Sequence, residues 1–256
     1  MVDRGDVLRE LGLLPVWRLR SPSPDIAPAP GPVLRDAAVD PSRAVRKSGA
    51  EDRIVRIATL SWSDFAADVR ACTACGLCRS RRQAVPGVGD TGAEWMFVGE
   101  APGAEEDARG EPFVGQAGRL LDNMLAALGM QRESNVYIAN VLKCRPPGNR
   151  TPEPGEVDAC RPYLDRQIAL IRPKLIVALG RSAATTLLAV DATIASLRGR
   201  VHRYQGVPLI VTYHPAYLLR NLPDKAKAWE DLCLARATLR ALSDAGGLQS
   251  AAAAPK

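Results

Sequence analysis

The sequence predicts an α/β protein with a mostly parallel sheet covered on both faces by helices, and three observations predict it. Four short apolar runs, at residues 95–98, 136–141, 175–179 and 209–212, have the length and unbroken hydrophobicity of strands buried on both faces. Helical patterns at 119–128, 154–171, 182–188 and 225–242 fill the intervals. Strand and helix thus alternate, the order that crossover connections of a parallel sheet require.

Taken in order, residues 1–60 read as an N-terminal extension, disordered or a linker. Leu8, Leu11, Leu14 and Trp17 can form one short amphipathic helix, but SPSPDIAPAPGP follows, and such a Pro-rich run sustains neither helix nor sheet. Ser61 or Ser63 can cap a helix through Ala71, which delivers the chain to Cys72. Gly99 stops the first strand abruptly, and Gly118 opens the helix beyond the following loop. The remaining runs carry the core domain to residue 243, and 244–256, rich in Ala and Gly, read as a disordered tail. No repeat at solenoid period occurs.

With 256 residues the chain can bury one substantial core. Its 34 Lys and Arg against 28 Asp and Glu, net +6, allow a nucleic-acid partner without demanding one. No run of about 18 apolar residues is present, and Asp3, Arg4 and Asp6 stand where a signal peptide would build its apolar region, so the expectation is a cytoplasmic protein with no membrane contact. Six cysteines in that compartment point to metal or redox chemistry more than to disulfides.

Three loops that follow strand ends carry the chemistry, since ligands of open α/β sheets bind outside the carboxyl ends of strands. The first, GEAPGAEEDARGEPFVGQAG after the 95–98 strand, lacks both the Gly-Lys-Ser/Thr of a phosphate loop and the G-x-G-x-x-G dinucleotide spacing. Its carboxylates, glycines and single aromatic, Phe113, read as a pocket wall. The second, KCRPPGNRTP, follows the strand carrying Asn140, and the third, HPAYLLR, holds one of only two histidines. Cys72, Cys75 and Cys78 form C-x-x-C-x-x-C, a half-site for zinc or an iron–sulfur cluster, and Cys144 and Cys160 lie far downstream as candidates for the rest. Spacing alone leaves open whether Cys78 or a distant cysteine is the ligand. Cys233 reads as a small core residue.

GEAPG with Glu106 and Asp107, GEPFVGQAG, NVLKCRPPGNRTP and HPAYLL resemble the signature blocks of the family 4, iron–sulfur uracil-DNA glycosylases, over residues 72 to about 242. The resemblance implies a three-layer α/β/α sandwich around the four-stranded sheet and a [4Fe–4S] cluster on Cys72, Cys75, Cys144 and Cys160. It also implies a base-excision repair enzyme that removes uracil from single- or double-stranded DNA, leaving an abasic site. Cys78 stands where relatives often carry another residue. The superfamily's usual catalytic Asp would fall at Ala101, and the Tyr that excludes thymine in some relatives at Gly103.

A base inside a duplex is unreachable, so such an enzyme flips it into a pocket. Phe113 is expected to stack on it and Asn140 to read its edge, accepting from N3–H and donating to O4, a polarity that cytosine reverses. Glu100 shapes the pocket, and the backbone of Glu100 and Ala101 touches O2. His214 donates to O2 as charge builds there. Glu106 positions or deprotonates the attacking water, with Asp107 as substitute. Leu218 fills the gap left by the flipped base; Arg145, Arg150 and Arg220 hold phosphates. A glycosylase of this size is expected to act as a monomer. A binding or redox-sensing module without catalysis and a zinc hydrolase are the competing readings.

Overall fold

The computed structural model describes residues 41–252, and the compact unit begins at Arg46. The helix expected near Leu8 to Trp17 lies outside the described residues.

Helix α1 (Pro41–Thr59) precedes α2 (Trp62–Ala71), which Ser61 caps by accepting the Asp64 N–H. Residues 46–59, assigned to the extension on composition, therefore belong to the compact unit: Ile57 is fully buried in a cluster with Phe65, Val69, Leu77, Leu142 and Tyr163. A single inward apolar position among charged neighbours is too weak a pattern to read as core.

The sheet has six strands where the sequence predicts four. β1 (Val88–Gly89), β2 (Trp95–Gly99), β3 (Val136–Asn140), β4 (Leu175–Leu179), β5 (Val201–Tyr204) and β6 (Val207–Thr212) are arranged in the order β1-β3-β2-β4-β6-β5. The four predicted strands form the parallel centre, and the two unpredicted ones are antiparallel edges. Both edges lack the signal that marked the centre. β1 is two residues long, and β5 reads VHRY, half-exposed and polar. The β5–β6 hairpin turns through Gln205 and Gly206, both at positive φ, the backbone that a tight two-residue hairpin requires.

Every residue of β2, β3 and β4 is buried because helices cover both faces. On one face Met96, Val98, Ala139, Ile176, Ala178 and Val211 pack with Leu164, Ile168 and Ile171 of α5 (Pro154–Ile171) and Ala183, Ala184 and Leu187 of α6 (Arg181–Leu188). On the other, Phe97, Ile138, Val177 and Ile210 meet Leu121 and Leu125 of α4 (Gln116–Ala127) and Leu232, Ala235 and Leu239 of α9 (Asp224–Ala252). Shorter helices α3 (Ala104–Arg109), α7 (Ile194–Leu197) and α8 (Pro215–Leu218) sit in the connections. α9 continues into residues 244–252, expected as tail. Among the described residues no helix is long and apolar enough to cross a membrane.

Candidate active site

Because β2, β3, β4 and β6 are parallel, their carboxyl ends share one edge, and β2 and β4 send their connections to opposite sides, the switch point where a crevice opens. The loops there enclose a cleft of about 490 Å³. Of the residues singled out in the sequence, Glu100, Ala101, Glu106, Phe113, Asn140, Arg150, His214 and Arg220 line it. Arg145 and Leu218 do not.

Asn140, the last residue of β3, is 2% exposed, and its Oδ1 has no hydrogen-bond partner. A buried acceptor left open costs about 1–3 kcal/mol, so the cleft floor favours a ligand that donates there. Gly99 faces it in register across the sheet. A Cβ on Gly99 would collide with Asn140 Oδ1 and lie 2.7 Å from Phe113 Cζ, which is why the strand ends in glycine.

Phe113 adopts φ 54°, a left-handed backbone rare for an aromatic residue. Three devices hold it there. Arg132 donates to the Pro112 and Phe113 carbonyls, Gly118 lets the chain pass against the Phe113 carbonyl, and the next two N–H groups are captured by Glu106. The ring then lies 5.5 Å from the His214 ring at 29° between planes, the two forming a flat apolar wall.

The Glu106 carboxylate accepts three backbone N–H groups: Gly103 at 3.1 Å on Oε2, and Val114 at 3.0 Å and Gly115 at 3.2 Å on Oε1. It therefore ties the start of α3 to the Phe113 loop, and three of its roughly four lone-pair sites are occupied. Asp107 points away, 2% exposed, accepting the Arg82 N–H at 2.9 Å. Glu100 keeps its carboxylate toward the cleft. Burial pushes its pKa up, and the Ser182 hydroxyl opposes that shift only partly.

His214 caps α8, its Nδ1 accepting the Ala216 N–H at 3.1 Å. That bond fixes the tautomer, so a neutral ring carries its proton on Nε2. Withdrawal from water pushes its pKa down to about 4; Glu106 draws it up and Arg220 adds to the depression. The imidazole is thus a neutral donor at ordinary pH.

Among the basic residues, Arg220 is exposed and has no side-chain partner among the described residues, so it is free for an anion. Arg150 instead grips Glu156 through two parallel bonds of 2.9 and 2.6 Å, which fastens the loop after β3 to α5 and leaves little charge for a phosphate. Arg145 donates to Asn149 at 2.7 Å. Leu218, expected as a wedge, is 1% exposed, packed with Tyr213 and Ala228. Its neighbour Leu219 is 39% exposed on the rim of the loop. A four-residue helix capped by His214 turns position 218 inward and leaves 219 outward, and this phase was invisible without knowing that the loop is helical.

A second, much smaller cavity, about 10 Å³, is lined by Cys72, Cys75, Cys78, Cys144 and Cys160. Three sulfurs receive N–H donors: Cys144 from Arg81 at 2.9 Å, Cys160 from the Lys143 backbone at 3.2 Å and Cys72 from Arg53 at 3.5 Å. Burial pushes the thiols of Cys75, Cys144 and Cys160 up, the last to about 12, so they stay protonated unless a metal replaces the proton. At Cys72 burial is outweighed by the Ala74 N–H, Tyr163 and Arg53, and the thiol is held below its ordinary value. Among the described residues no three His, Cys, Asp or Glu converge to hold a single metal ion. Cys233 lies half-buried on α9, apart from this group. The sequence reading missed Arg53, Arg81, Arg132, Lys143 and Leu219; an arginine or lysine on an apparent surface stretch carries no mark of what its guanidinium or ammonium reaches.

Residues 86–233 match the family model described as the Uracil DNA glycosylase superfamily. The chain is 48% identical over 167 residues to a type-4 uracil-DNA glycosylase of Archaeoglobus fulgidus, covering 62% of this chain and 83% of that protein. A type-4 uracil-DNA glycosylase of Thermotoga maritima is 48% identical over 155 residues, covering 60% and 80%. A type-5 uracil-DNA glycosylase of Pyrobaculum aerophilum is 35% identical over 182 residues, covering 64% and 77%.

Proposed function

The chain belongs to the uracil DNA glycosylase superfamily, in its type-4 branch, and is a DNA N-glycosylase of base-excision repair; from that premise we propose how its cleft flips, reads and releases uracil. The observation that carries the reading is the unpaired Asn140 Oδ1 at the floor of a cleft walled by Phe113 and His214.

The flipped base stacks on Phe113, and Asn140 Oδ1 accepts from its N3–H while the amide donates to O4. Cytosine offers an acceptor at N3 and a donor at the 4-position, so both contacts become mismatched and each buried group left unpaired costs about 1–3 kcal/mol. Breaking the N-glycosidic bond puts negative charge on the departing base and positive charge on the sugar. His214, neutral with its proton on Nε2, stabilises the first by donating to O2, a contribution of about 3–4 kcal/mol where such a donor is preorganised. Of the two cleft glutamates, Glu100 holds the attacking water and takes its proton: it is the one whose carboxylate is not consumed by backbone donors. Glu106 organises the Phe113 loop. Arg220 and Leu219 engage the DNA, one on a phosphate and one in the gap left by the base.

Cys72, Cys75, Cys144 and Cys160 would hold a [4Fe–4S] cluster. The fit is supported by five cysteines lining one cavity, with N–H donors on three sulfurs of the kind that stabilise metal-bound thiolates. Held there, the cluster would supply structure, tying 72–78, the loop after β3 and α5 together. We read the enzyme as a cytoplasmic monomer.

The test is excision from a uracil-containing oligonucleotide, single- and double-stranded, in EDTA, with His214→Ala and Asn140→Ala beside the parent. Abasic sites formed by the parent and lost in both variants support the reading. A folded parent that releases no uracil overturns it.

A further inference from the structure

Lys143 is 1% exposed, and its ammonium has no carboxylate partner among the described residues. Nζ donates to the Asn140 carbonyl at 2.7 Å and to Gln167 Oε1. Gln167 is held in turn, its amide donating to the Pro86 carbonyl at 2.8 Å and the Tyr137 hydroxyl at 3.0 Å. These acceptors satisfy hydrogen bonds and are all neutral. A buried charge needs an opposite charge as well as hydrogen bonds. Lys143 also lines the cysteine cavity, beside Cys144 and Cys160.

The backbone of the same residue runs the other way. Its N–H donates to Cys160 Sγ at 3.2 Å, its carbonyl accepts the Val85 N–H at 2.8 Å, and Cys144 is the next residue. Lys143 therefore forms part of the cysteine cavity wall while its side chain folds back onto the residue whose amide floors the cleft.

We infer that Lys143 is the positioning residue that fixes Asn140, and hence the reading of the base, with the anionic cysteine centre as its counter-charge. Cluster and base pocket are coupled through one side chain. The inference rests on the uracil and cluster readings above.

Lys143→Met keeps the length of the stem and removes the charge. Parent and variant, each purified with its cluster and with iron per chain measured, are compared in two ways. The midpoint potential of the centre is taken by spectroelectrochemistry, and affinity for free uracil by calorimetry. The expected result is a more negative potential, because a cation beside the thiolates favours the reduced centre, and a uracil affinity weakened on the order of tenfold. A purely structural lysine would lower the melting temperature and leave both quantities unchanged in the folded protein. Should Lys143→Met fail to fold or load, Gln167→Met removes one Nζ acceptor and keeps the charge; an unaltered potential with weaker uracil binding is expected. Unchanged uracil affinity in whichever variant folds overturns the coupling. A parent without iron, or one that binds no uracil, removes the premise and the inference with it, and is told apart by the parent measurement alone.

Discussion

The two glutamates of the cleft make opposite predictions when each is changed to glutamine. Glu106 accepts three backbone N–H groups, at 3.0 and 3.2 Å on one oxygen and 3.1 Å on the other. A glutamine has one carbonyl oxygen, so its best orientation keeps the Val114 and Gly115 bonds and turns an NH₂ toward the Gly103 N–H, donor against donor. The stranded donor costs about 1–3 kcal/mol, and the two surviving bonds, no longer charge-assisted, lose about 0.5–1.5 kcal/mol each. Water reaches the half-exposed Gly103 and offsets part of this, so about 2–4 kcal/mol is expected, a fall of roughly 5–10 °C in Tm for a domain of this size. Loosening the Phe113 loop should weaken uracil binding and raise KM more than it lowers kcat. Glu100→Gln breaks no backbone bond and removes a carboxylate that burial makes costly, so Tm should hold while single-turnover cleavage falls by about 10²–10⁴. Its pH profile decides the role: the parent should lose rate on the acid side through a raised Glu100 pKa, and the variant should lack that limb. Thermal melts and single-turnover excision on the same preparations check both. Glu106→Gln melting like the parent with chemistry abolished, beside an active Glu100→Gln, would refute the assignment and return the water to Glu106.

The wedge is tested by Leu218→Ala and Leu219→Ala together. The first should cost about 2–5 kcal/mol in urea unfolding, as buried leucines do, and the second should leave stability intact and slow excision from duplex far more than from single strands. At His214 the folded pKa near 4 lies below the ordinary 6.5, so the unfolded chain takes the proton first. Its contribution is complete above about pH 6.5 and is lost as the pH falls toward 4, by at most about 3 kcal/mol. His214→Asn should flatten that acid slope in urea titrations taken at several pH values. Arg220→Ala should lower the slope of log affinity against log salt by about one, whereas Arg150→Ala, which frees Glu156, should lower Tm more than it changes the salt slope. Cys144→Ser should lose iron and visible absorbance, and Cys78→Ser should keep both, as iron analysis will tell.

Much of the cleft was legible because its residues follow strand ends, and strand ends are marked by periodicity. Asn140 closes an apolar run, Gly99 cuts another short, and His214 comes just after the last, so a parallel sheet had to bring them to one edge. The arginines were less legible. Arg150 and Arg220 have the same residue type and the same kind of loop, yet one is neutralised by Glu156, an acid on the first turn of a helix whose approach the loop sequence does not announce.

By itself the sequence determined the parallel centre of the sheet, the C-x-x-C-x-x-C half-site and the chemistry available to the cleft, since each is carried by residue type at short range. Only the tertiary structure decided the edge strands, which have no hydrophobic run to mark them because water covers one side. It alone decided that Ile57 joins the core and that Leu219 rather than Leu218 faces out. It also showed that three backbone N–H groups occupy the Glu106 carboxylate. Those outcomes depend on where a chain distant in sequence places its N–H groups and its bulk, and that placement is a property of packing rather than of composition.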